Sequence, residues 1–383
     1  MQIGLLSSFP PSNSGIAEFT DDFENALKQS NNDIIIQRIA LEDPSIASKT
    51  DSSFLCIIQK ERIEDYIHAA EIINASSIEI LIIQHEFATY GGPNGEYIVK
   101  LIHRIKKPII LIAHTVPVAD DAHHIIERKQ FFQAIYDSVN NIIVFLPQAK
   151  KTLVSYGLEE DKISIIPHGV KSMKRNEDIL KLRQKFCFPE DAFILFSFGF
   201  FHPNKGTIYT IQAINSLVKK KKNVFFLYAG TTLPSADSQE YFKSLREMVQ
   251  NNHLEKNVRF DMNFISQDRL SAYLHTCDVG IVPYIYKSYT ASGPLSFFIG
   301  AGKPIITTPF AYATSILSSQ DACFVPFKNG SAIAQAITRI QSDQEFHNSL
   351  ITHYTTTQST LLWKSVAQQY LSTIKNVLEQ HAQ

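Results

Sequence analysis

The sequence is poor in cysteine, in tryptophan and in net charge. Its 383 residues include 4 cysteines and 1 tryptophan. Cys56, Cys187, Cys277 and Cys323 lie far apart and form no Cys-x-x-Cys pair, which argues against a disulfide framework and against a thiolate zinc site. The 36 Lys and Arg residues balance 37 Asp and Glu residues, for a formal charge of -1. Such a chain has no global field that attracts nucleic acid or an anionic membrane, so we expect no nucleic acid partner.

Long hydrophobic runs are also missing, and we expect no secretory signal. No apolar run approaches the ~20 residues of a membrane span. The N-terminus has neither a basic segment nor a long apolar segment, so it is not typical of a secretory signal. We therefore expect a cytoplasmic protein. The charge run Lys219–Lys222 has two interpretations, the solvated end of a helix, which is the commoner case, or a patch for peripheral contact with a membrane.

Short runs rich in Ile, Val and Phe alternate with longer amphipathic stretches along most of the chain. This alternation is typical of parallel sheets covered by helices on both faces. Seven such runs fall in the first half and six in the second, too many for one open sheet. We expect an α/β protein with one domain at 1–170, a second at 171–344, and a helical tail at 345–383 that crosses back to the first domain.

Candidate site residues follow the runs of the first half, because the ligand crevice of a doubly wound sheet lies beyond the carboxyl ends of its strands. After the first run, a helix begins at Gly15, where free N–H groups favour an anion; an ordinary turn with a Ser cap is an equal alternative. His114 directly follows the fifth run, a placement that favours a functional role. The loop after the fourth run suits a polyol, since it combines an imidazole, a carboxylate, an aromatic ring and glycines in His85, Glu86, Tyr90, Gly91 and Gly92.

Lys205 and the segment Ser292-Gly293-Pro294 lie at two predicted helix starts of the second half. A lysine is poorly placed at a helix N-terminus unless an anion such as a phosphate lies beside it. The Ser-Gly-Pro entry offers further free N–H groups. Two such helix starts in one domain predict a diphosphate ligand.

No metal or other cofactor is expected. His123 and His124 are next to Asp120 and Asp121, but adjacent residues on a helix point in different directions, which disfavours a shared metal ion. The chain also has no Asp-x-Asp pair that would hold Mg²⁺ on a diphosphate.

Several motifs together resemble the retaining glycosyltransferases of family four, which have two facing Rossmann-like domains in the fold called GT-B. The resemblance covers nearly the whole chain. It rests on Phe9-Pro-Pro11, Ser14-Gly-Ile-Ala17, Gln84-His-Glu-Phe87, Ala113-His-Thr115, Ile166-Pro-His-Gly-Val170, Lys205-Gly206, Asp278-Val279, Pro283-Tyr284, Ser292-Gly293 and Gly300-Ala-Gly-Lys-Pro304.

The resemblance implies that the first domain binds an acceptor, that the second binds a nucleotide sugar, and that the anomeric configuration is retained. It implies two catalytic residues, His114 on the transferring sugar and Lys205 on the diphosphate. Further implied donor contacts are Gly15, Gly199, Asn204, Phe264, Ile265, Tyr284, Ser292, Gly293, Pro294 and Leu295. The implied acceptor contacts are Ser14 and Glu18 together with the polyol loop.

The sequence departs from the family at three positions. Family members carry a Glu-x7-Glu motif, and spacing back from Gly300 places Tyr289 and Phe297 at its two carboxylates. Phe200 stands where the family has an arginine. We therefore expect a variant that lacks both carboxylates and one cation of the diphosphate clamp.

Three functions fit this sequence. The first is a hexosyltransferase acting on a nucleotide sugar and a glycan or lipid-linked acceptor. The second is a phosphorylase-like enzyme that uses the same anion sites for inorganic phosphate. The third is a non-catalytic partner that binds a sugar or nucleotide without turnover. Product analysis with and without phosphate separates the first two, and tight nucleotide binding without sugar release would favour the third.

Overall fold

The structure, a computed structural model, describes all residues except 13, 43–52, 88, 117–124, 174–176, 234, 264 and 383. It divides into two units. Unit 1 comprises Met1–Gly169 and Trp363–Gln383, and unit 2 comprises Val170–Leu362.

Unit 1 contains a 7-stranded parallel sheet with the strand order β3-β2-β1-β4-β5-β6-β7. Its strands are β1 (Gln2–Ser7), β2 (Ile35–Glu42), β3 (Phe54–Gln59), β4 (Ile80–His85), β5 (Ile109–Ala113), β6 (Asn141–Val144) and β7 (Ile163–Ile165). Its first helices are α1 (Gly15–Ser30), α2 (Ile63–Ala75), α3 (Tyr97–Ile102), α4 (Ile125–Ile135) and α5 (Pro147–Ser155). Every residue of β4 and β5 is buried, as expected for strands covered by helices on both faces.

Unit 2 contains a 6-stranded parallel sheet with the strand order β10-β9-β8-β11-β12-β13. Its strands are β8 (Phe193–Phe198), β9 (Val224–Ala229), β10 (Val258–Asp261), β11 (Val279–Val282), β12 (Ile305–Thr307) and β13 (Cys323–Phe324). Its helices are α6 (Ile179–Lys185), α7 (Thr207–Lys219), α8 (Ala236–Asn251), α9 (Gln267–Thr276), α10 (Gly293–Ala301), α11 (Ala311–Ile316), α12 (Gly330–Ser342) and α13 (Gln344–Leu361). A core of aliphatic and aromatic residues joins β8 and β9 to α7 and α12.

The predicted α/β class with two Rossmann-like sheets is confirmed. In each sheet the strand order reverses beside the first strand of the unit, between β1 and β4 and between β8 and β11. A doubly wound sheet binds its ligands at the carboxyl ends of the strands next to such a reversal. The lysine run is the exposed end of α7, since Lys219 to Lys222 all face solvent. Across the described residues no helix is both long enough and apolar enough to cross a membrane.

The helical tail is divided, where the sequence predicted one segment over 345–383. Helix α13 belongs to unit 2, and a last helix, α14 (Trp363–His381), belongs to unit 1. Helix α13 ends before Leu362, which has an extended ψ of 143°. Beside this break, the N–H of Val170 donates to the backbone O of Leu361 at 2.8 Å. Trp363 then packs edge-on against Phe19 of α1, with ring centroids 5.0 Å apart. These tertiary contacts end one helix and start the next.

Candidate active site

The start of α1 lies at the carboxyl edge of the unit 1 sheet. Ser14 caps the helix, because its Oγ accepts from the N–H of Ala17 at 3.2 Å. A Cβ built on Gly15 would meet nothing within 4 Å, so a ligand can approach the backbone there. Glu18 is exposed in the first turn. The Ser cap and the open glycine are both present, and both interpretations of this loop remain compatible with the structure.

His114 is buried at the end of β5 and hydrogen-bonded to Gln84 of β4. Its Nε2 lies 2.7 Å from Gln84 Oε1. The rings of Phe19 and Phe145 meet the imidazole at steep angles, with centroids 4.6 and 5.1 Å away. Burial, helped by nearby His168 and His85, lowers the pKa of His114 to about 3. The imidazole is therefore neutral at physiological pH and can donate or accept hydrogen bonds without carrying charge.

His85 does not reach the surface. It is fully buried. Its ring stacks on Phe131, with centroids 4.4 Å apart and an interplanar angle of 19°, and lies nearly parallel to the ring of Tyr90, with centroids 5.7 Å apart. Burial lowers its pKa to about 3. Tyr90 is also buried and donates to the backbone O of Gln84 at 2.6 Å, and buried Gly91 donates its N–H to the hydroxyl of Tyr66. His85, Tyr90 and Gly91 are therefore buried beneath the surface of this loop.

Two other proposed acceptor residues of the same loop, Glu86 and Gly92, are partly exposed. Glu86 accepts from the hydroxyl of Thr115 and from the N–H of Phe87, and burial raises the pKa of its carboxyl. Gly92 has a φ of +89°, and a Cβ there would come within 2.8 Å of the Glu96 carboxyl. A side chain at position 92 would therefore strain the turn. The histidines and aspartates at 120–124 lie outside the described residues.

In unit 2, Lys205 ends the short turn between β8 and α7. Its ammonium lies 3.0 Å from the hydroxyl of Tyr284 and 4.3 Å from the centroid of the same ring. Gly206, the next residue, has a φ of +70°, and a Cβ there would lie 2.0 Å from Pro283 O. The close approach of these two backbones requires glycine and brings Lys205 to the residues that follow β11. Asn204 holds the same loop, because its backbone O accepts from the N–H of Ile285.

The start of α10 completes this polar group. Ser292 caps the helix by accepting from the N–H of Leu295 at 3.2 Å, and its hydroxyl lies 3.1 Å from that of Tyr284. A Cβ on Gly293 would meet nothing within 4 Å, so its backbone is open. The side chain of Leu295 is buried, which leaves only its N–H on this side, and the Ser292 cap already uses that group. Lys205, Tyr284 and Ser292 thus form a continuous polar chain at a helix N-terminus, which favours an anion.

Two glycine loops lie beside α10. Gly199 follows β8 with a φ of +123°, and a Cβ built there would lie 4.0 Å from the ring of Pro294. Gly230 follows β9 and packs so tightly on Gly199 that a Cβ would come within 1.9 Å of Gly199 O. The carboxyl ends of β8 and β9 therefore meet the start of α10, and the backbone of Gly199 can approach a ligand held there. Phe200, the next residue, is exposed.

The loop after β10 is held by a network that the sequence did not reveal. Asp261 accepts from the backbone N–H and from the side-chain amide of Asn263. It also accepts from the hydroxyl of Tyr273 at 2.7 Å and from the guanidinium of Arg269 at 2.8 Å. Ile265 is half-buried after this turn, and Phe264 lies outside the described residues. The network fixes the backbone that the resemblance assigns to the nucleotide base.

Tyr289 and Phe297 are the two aromatic residues that the resemblance aligns with the Glu-x7-Glu carboxylates. Tyr289 packs against Tyr284 with centroids 4.8 Å apart, and burial raises the pKa of its hydroxyl. Phe297 meets Phe198 edge-on at 5.7 Å. Within the described residues, no three His, Cys, Asp or Glu side chains come together as a group that could hold a metal ion.

Residues 178–355 match a family model described as glycosyl transferases group 1. The segment lies inside unit 2 and contains Lys205, Tyr284 and Ser292. This segment is therefore similar to the glycosyl transferases group 1 family. The polar chain at the start of α10 lies within the matched residues, whereas His114 lies in unit 1, outside them.

Two curated relatives share part of the sequence. A lipopolysaccharide 1,2-N-acetylglucosaminetransferase of Salmonella typhimurium is 24% identical over 248 residues, which cover 62% of this chain and 63% of the relative. An alpha-galactosylglucosyldiacylglycerol synthase of Streptococcus pneumoniae is 22% identical over 179 residues, which cover 45% of this chain and 44% of the relative. The chain thus spans less than two thirds of the length of either relative.

Solved structures match over nearly the full length of the chain. Anabaena HepE in complex with UDP and glucose has a TM-score of 0.77 at 13% identity, covering 98% of this chain and 100% of that one. The sucrose-phosphate synthase of Thermosynechococcus elongatus has a TM-score of 0.78 at 17% identity, covering 99% of this chain and 100% of that one. These likenesses show that the chain has the GT-B fold.

Proposed function

We propose that the protein is a retaining glycosyltransferase that moves a hexose from a nucleotide sugar to a glycan or lipid-linked acceptor. The observation that carries this proposal is the polar chain of Lys205, Tyr284 and Ser292 at the open N-terminus of α10. The family of residues 178–355 supports it. One phosphate needs fewer binding groups than a diphosphate does. This site has three, namely a lysine, a capped helix start and the Gly199 loop, and it therefore suits the two phosphates of a nucleoside diphosphate.

In this proposal, unit 2 assists departure of the nucleoside diphosphate. Charge develops on the leaving phosphate as the bond to the anomeric carbon breaks, and Lys205 and the N–H groups at the start of α10 stabilise that charge. No metal ion is required by this arrangement. An acceptor hydroxyl attacks the anomeric carbon from the face of the leaving group and gives its proton to the departing phosphate oxygen, which retains the anomeric configuration without a carboxylate nucleophile. His114, neutral at physiological pH, contacts a hydroxyl of the transferring sugar.

The donor we propose is a UDP-hexose. The Anabaena structure that shares the fold contains UDP and glucose, and this supports UDP over other nucleotides as the first ligand to test. The names of the two curated relatives specify a lipopolysaccharide and a diacylglycerol glycolipid, which supports a glycan or glycolipid acceptor here. Glu18 is exposed and Ser14, Glu86 and Gly92 are partly exposed, so these proposed acceptor residues remain accessible for such a contact.

A thermal-shift screen of the full chain against UDP, GDP, ADP and their hexoses tests the donor. A ligand that binds only the folded state raises the melting temperature by an amount set by its concentration over Kd. We expect the largest shift with UDP and its hexoses. No shift with any nucleoside diphosphate would refute the proposed donor site.

We further propose that the site lacks the family's ribose carboxylate, since Phe297 cannot accept hydrogen bonds. A buried carboxylate that loses one of two hydroxyl partners rejects the incomplete ligand strongly. Without it, 2′-deoxy-UDP and 3′-deoxy-UDP should bind only about tenfold more weakly than UDP, near ~1.4 kcal/mol. Calorimetric titrations measure this. A loss above a hundredfold would show that another strong acceptor holds the ribose.

A further inference from the structure

Gln84 is a fully buried polar residue at the carboxyl end of a central strand. Its Oε1 lies 2.7 Å from His114 Nε2, and its backbone O accepts from Tyr90 at 2.6 Å. Burying an amide is unfavourable unless its groups are paired. Nevertheless, Gln84 Nε2 has no hydrogen-bond partner in the part of the chain that the structure describes. Among the described residues, the side chain of Gln84 therefore makes one hydrogen bond, and its partner is the imidazole of His114.

The chemistry of that bond determines which ring nitrogen of His114 carries the proton. An amide oxygen can only accept, so the imidazole must donate, and its proton lies on Nε2. A neutral imidazole carries one proton, which leaves Nδ1 with a lone pair. Phe19 and Phe145 stand edge-on to the ring and limit its rotation. Nδ1 is thus presented as a hydrogen-bond acceptor in a fixed direction.

The surroundings favour the neutral ring. The titratable groups that act on His114 are His168, after β7, and His85, on β4. Phe19 of α1 and Phe145, after β6, supply apolar contact. His168 and His85 are themselves buried, so burial is the main cause of the lowered pKa of His114 and the two neighbouring imidazoles lower it further. An uncharged acceptor suits a sugar hydroxyl, which donates one proton and carries no charge.

We propose that Gln84 is the positioning residue of His114, holding the imidazole in the Nε2–H tautomer so that Nδ1 accepts from a hydroxyl of the transferring sugar. The sugar contact rests on the proposed function. The tautomer does not, because it follows from the contact between two residues of unit 1. The two parts can be tested separately.

Nitrogen NMR of the full chain labelled at histidine tests the tautomer without any substrate. The chain has 13 histidines, and His114→Asn identifies the signal of His114 by its loss. We expect an Nε2–H tautomer that takes up no proton between pH 8 and about 5. In Gln84→Leu, which keeps an apolar side chain of similar length in the strand, the tautomer should become mixed. An Nδ1–H tautomer in the wild-type protein would overturn the proposal.

Kinetics test the consequence for the sugar. Gln84→Leu should lower kcat by about ten- to a hundredfold, the effect of a misplaced catalytic group, while the Kd for UDP stays within about twofold. Thr20→Val is the matched control, since it removes a hydroxyl from the buried Ser7–Thr20 pair of the same unit. We expect its kcat to stay near that of wild type. A kcat for Gln84→Leu within about twofold of wild type would overturn the proposal.

Gln84→Glu is the conservative variant. Its carboxylate still accepts from Nε2, so activity should be retained at pH 8, but the negative charge raises the pKa of His114. Activity should then fall on acidification at a higher pH than in wild type. Burial also raises the pKa of Glu86, but Glu86 is the same in both proteins, so the difference between the Gln84→Glu and wild-type profiles reports on His114. No activity at any pH in Gln84→Glu would mean that Gln84 donates to His114 and would overturn the tautomer. If wild-type protein transfers no sugar, the proposed function fails, and the NMR result still decides the tautomer.

Discussion

Lys205 gives the sharpest test at the scale of a single residue. Its ammonium contacts the Tyr284 hydroxyl beside the open start of α10, where we place the diphosphate. Lys205→Ala should weaken UDP binding by ~1.5–3 kcal/mol, the range for hydrogen bonds to a charged group. Calorimetric titration of the full chain with UDP measures the loss.

Lys287 is the matched control for this substitution. It lies in the same loop after β11, and its side chain is exposed. Lys287→Ala removes the same charge and should change the Kd for UDP by less than about twofold, because exposed charges interact weakly. Equal losses in the two variants would show a general charge effect, and the assignment of Lys205 to the diphosphate would have to be withdrawn.

His85 should make the stability of unit 1 depend on pH. Its pKa is lowered by burial from 6.5 to about 3, so the unfolded chain takes up a proton below pH 6.5 while the folded protein does not. The contribution of His85 to stability is therefore fully present above pH 6.5 and is lost as the pH falls toward 3. The slope is about 1.4 kcal/mol per pH unit in that window. His114 and His168 add slopes of the same sign.

His85→Phe should reduce this pH dependence, because a phenyl ring can keep the stacking on Phe131 and takes up no proton. Urea unfolding at pH 7 and pH 5.5, followed by the fluorescence of Trp363, measures the slope in unit 1, which holds the single tryptophan. His68→Gln, at an exposed position of α2, should leave the slope unchanged. An unchanged slope in His85→Phe would mean that folded His85 takes up the proton.

The positions of candidate residues could be predicted from the sequence where the backbone alone determines them. Lys205 and Ser292 lie at helix starts, and a helix start is readable from capping residues and from the spacing of apolar positions. His85 could not be placed in this way, because the run Ile80–His85 is buried on both faces and shows no alternation from which to read the side of the sheet. The roles of Gln84 and Asp261 depend on partners from other elements, so no local pattern indicates them.

At the scale of elements, the cap of α10 links stability to binding. Ser292→Ala removes the acceptor of the Leu295 N–H and the contact with Tyr284. We expect unit 2 to lose about 1 kcal/mol of stability, as is typical for a lost cap. UDP binding should weaken as well, since the start of the helix is the proposed phosphate site. Chemical unfolding and calorimetric titration measure the two effects.

A substitution at Asn329 separates the loss of stability from the loss of UDP binding. It caps α12 in the same unit by accepting from the N–H of Ala332 at 2.9 Å. Asn329→Ala should cost about 1 kcal/mol of stability in the same way, but the Kd for UDP should not change. If both cap variants weaken UDP binding equally, the loss follows from stability alone, and α10 has no special part in holding the nucleotide.

The strands were the most predictable elements and the end of α13 the least. Most strands are short runs rich in aliphatic or aromatic residues between polar segments, so their positions follow from composition. The helix break at Leu362 has no such signal, because the surrounding sequence Ser359-Thr-Leu-Leu-Trp-Lys364 contains neither glycine nor proline. It arises from the Val170 hydrogen bond and from the packing of Trp363, both of which involve residues distant in sequence.

At the scale of the whole molecule, the chain passes between the units twice. The passages are at 169–170 and at 362–363. Gly169 has no room for a side chain, since a Cβ would lie 2.3 Å from the ring of Trp363. Gly169 packs on Trp363, and Val170 donates a hydrogen bond to Leu361. The length and charge of the chain alone do not predict either contact.

The central claim is that this chain transfers a hexose with retention of configuration. Proton NMR of the anomeric signal, during incubation of the full chain with UDP-hexoses and glycan or glycolipid acceptors, tests it most directly. We predict release of UDP and a product with the same anomeric configuration as the donor, at a rate that EDTA leaves unchanged. An inverted product, a sugar 1-phosphate formed only when inorganic phosphate is present, or tight UDP binding without consumption of any donor would contradict it.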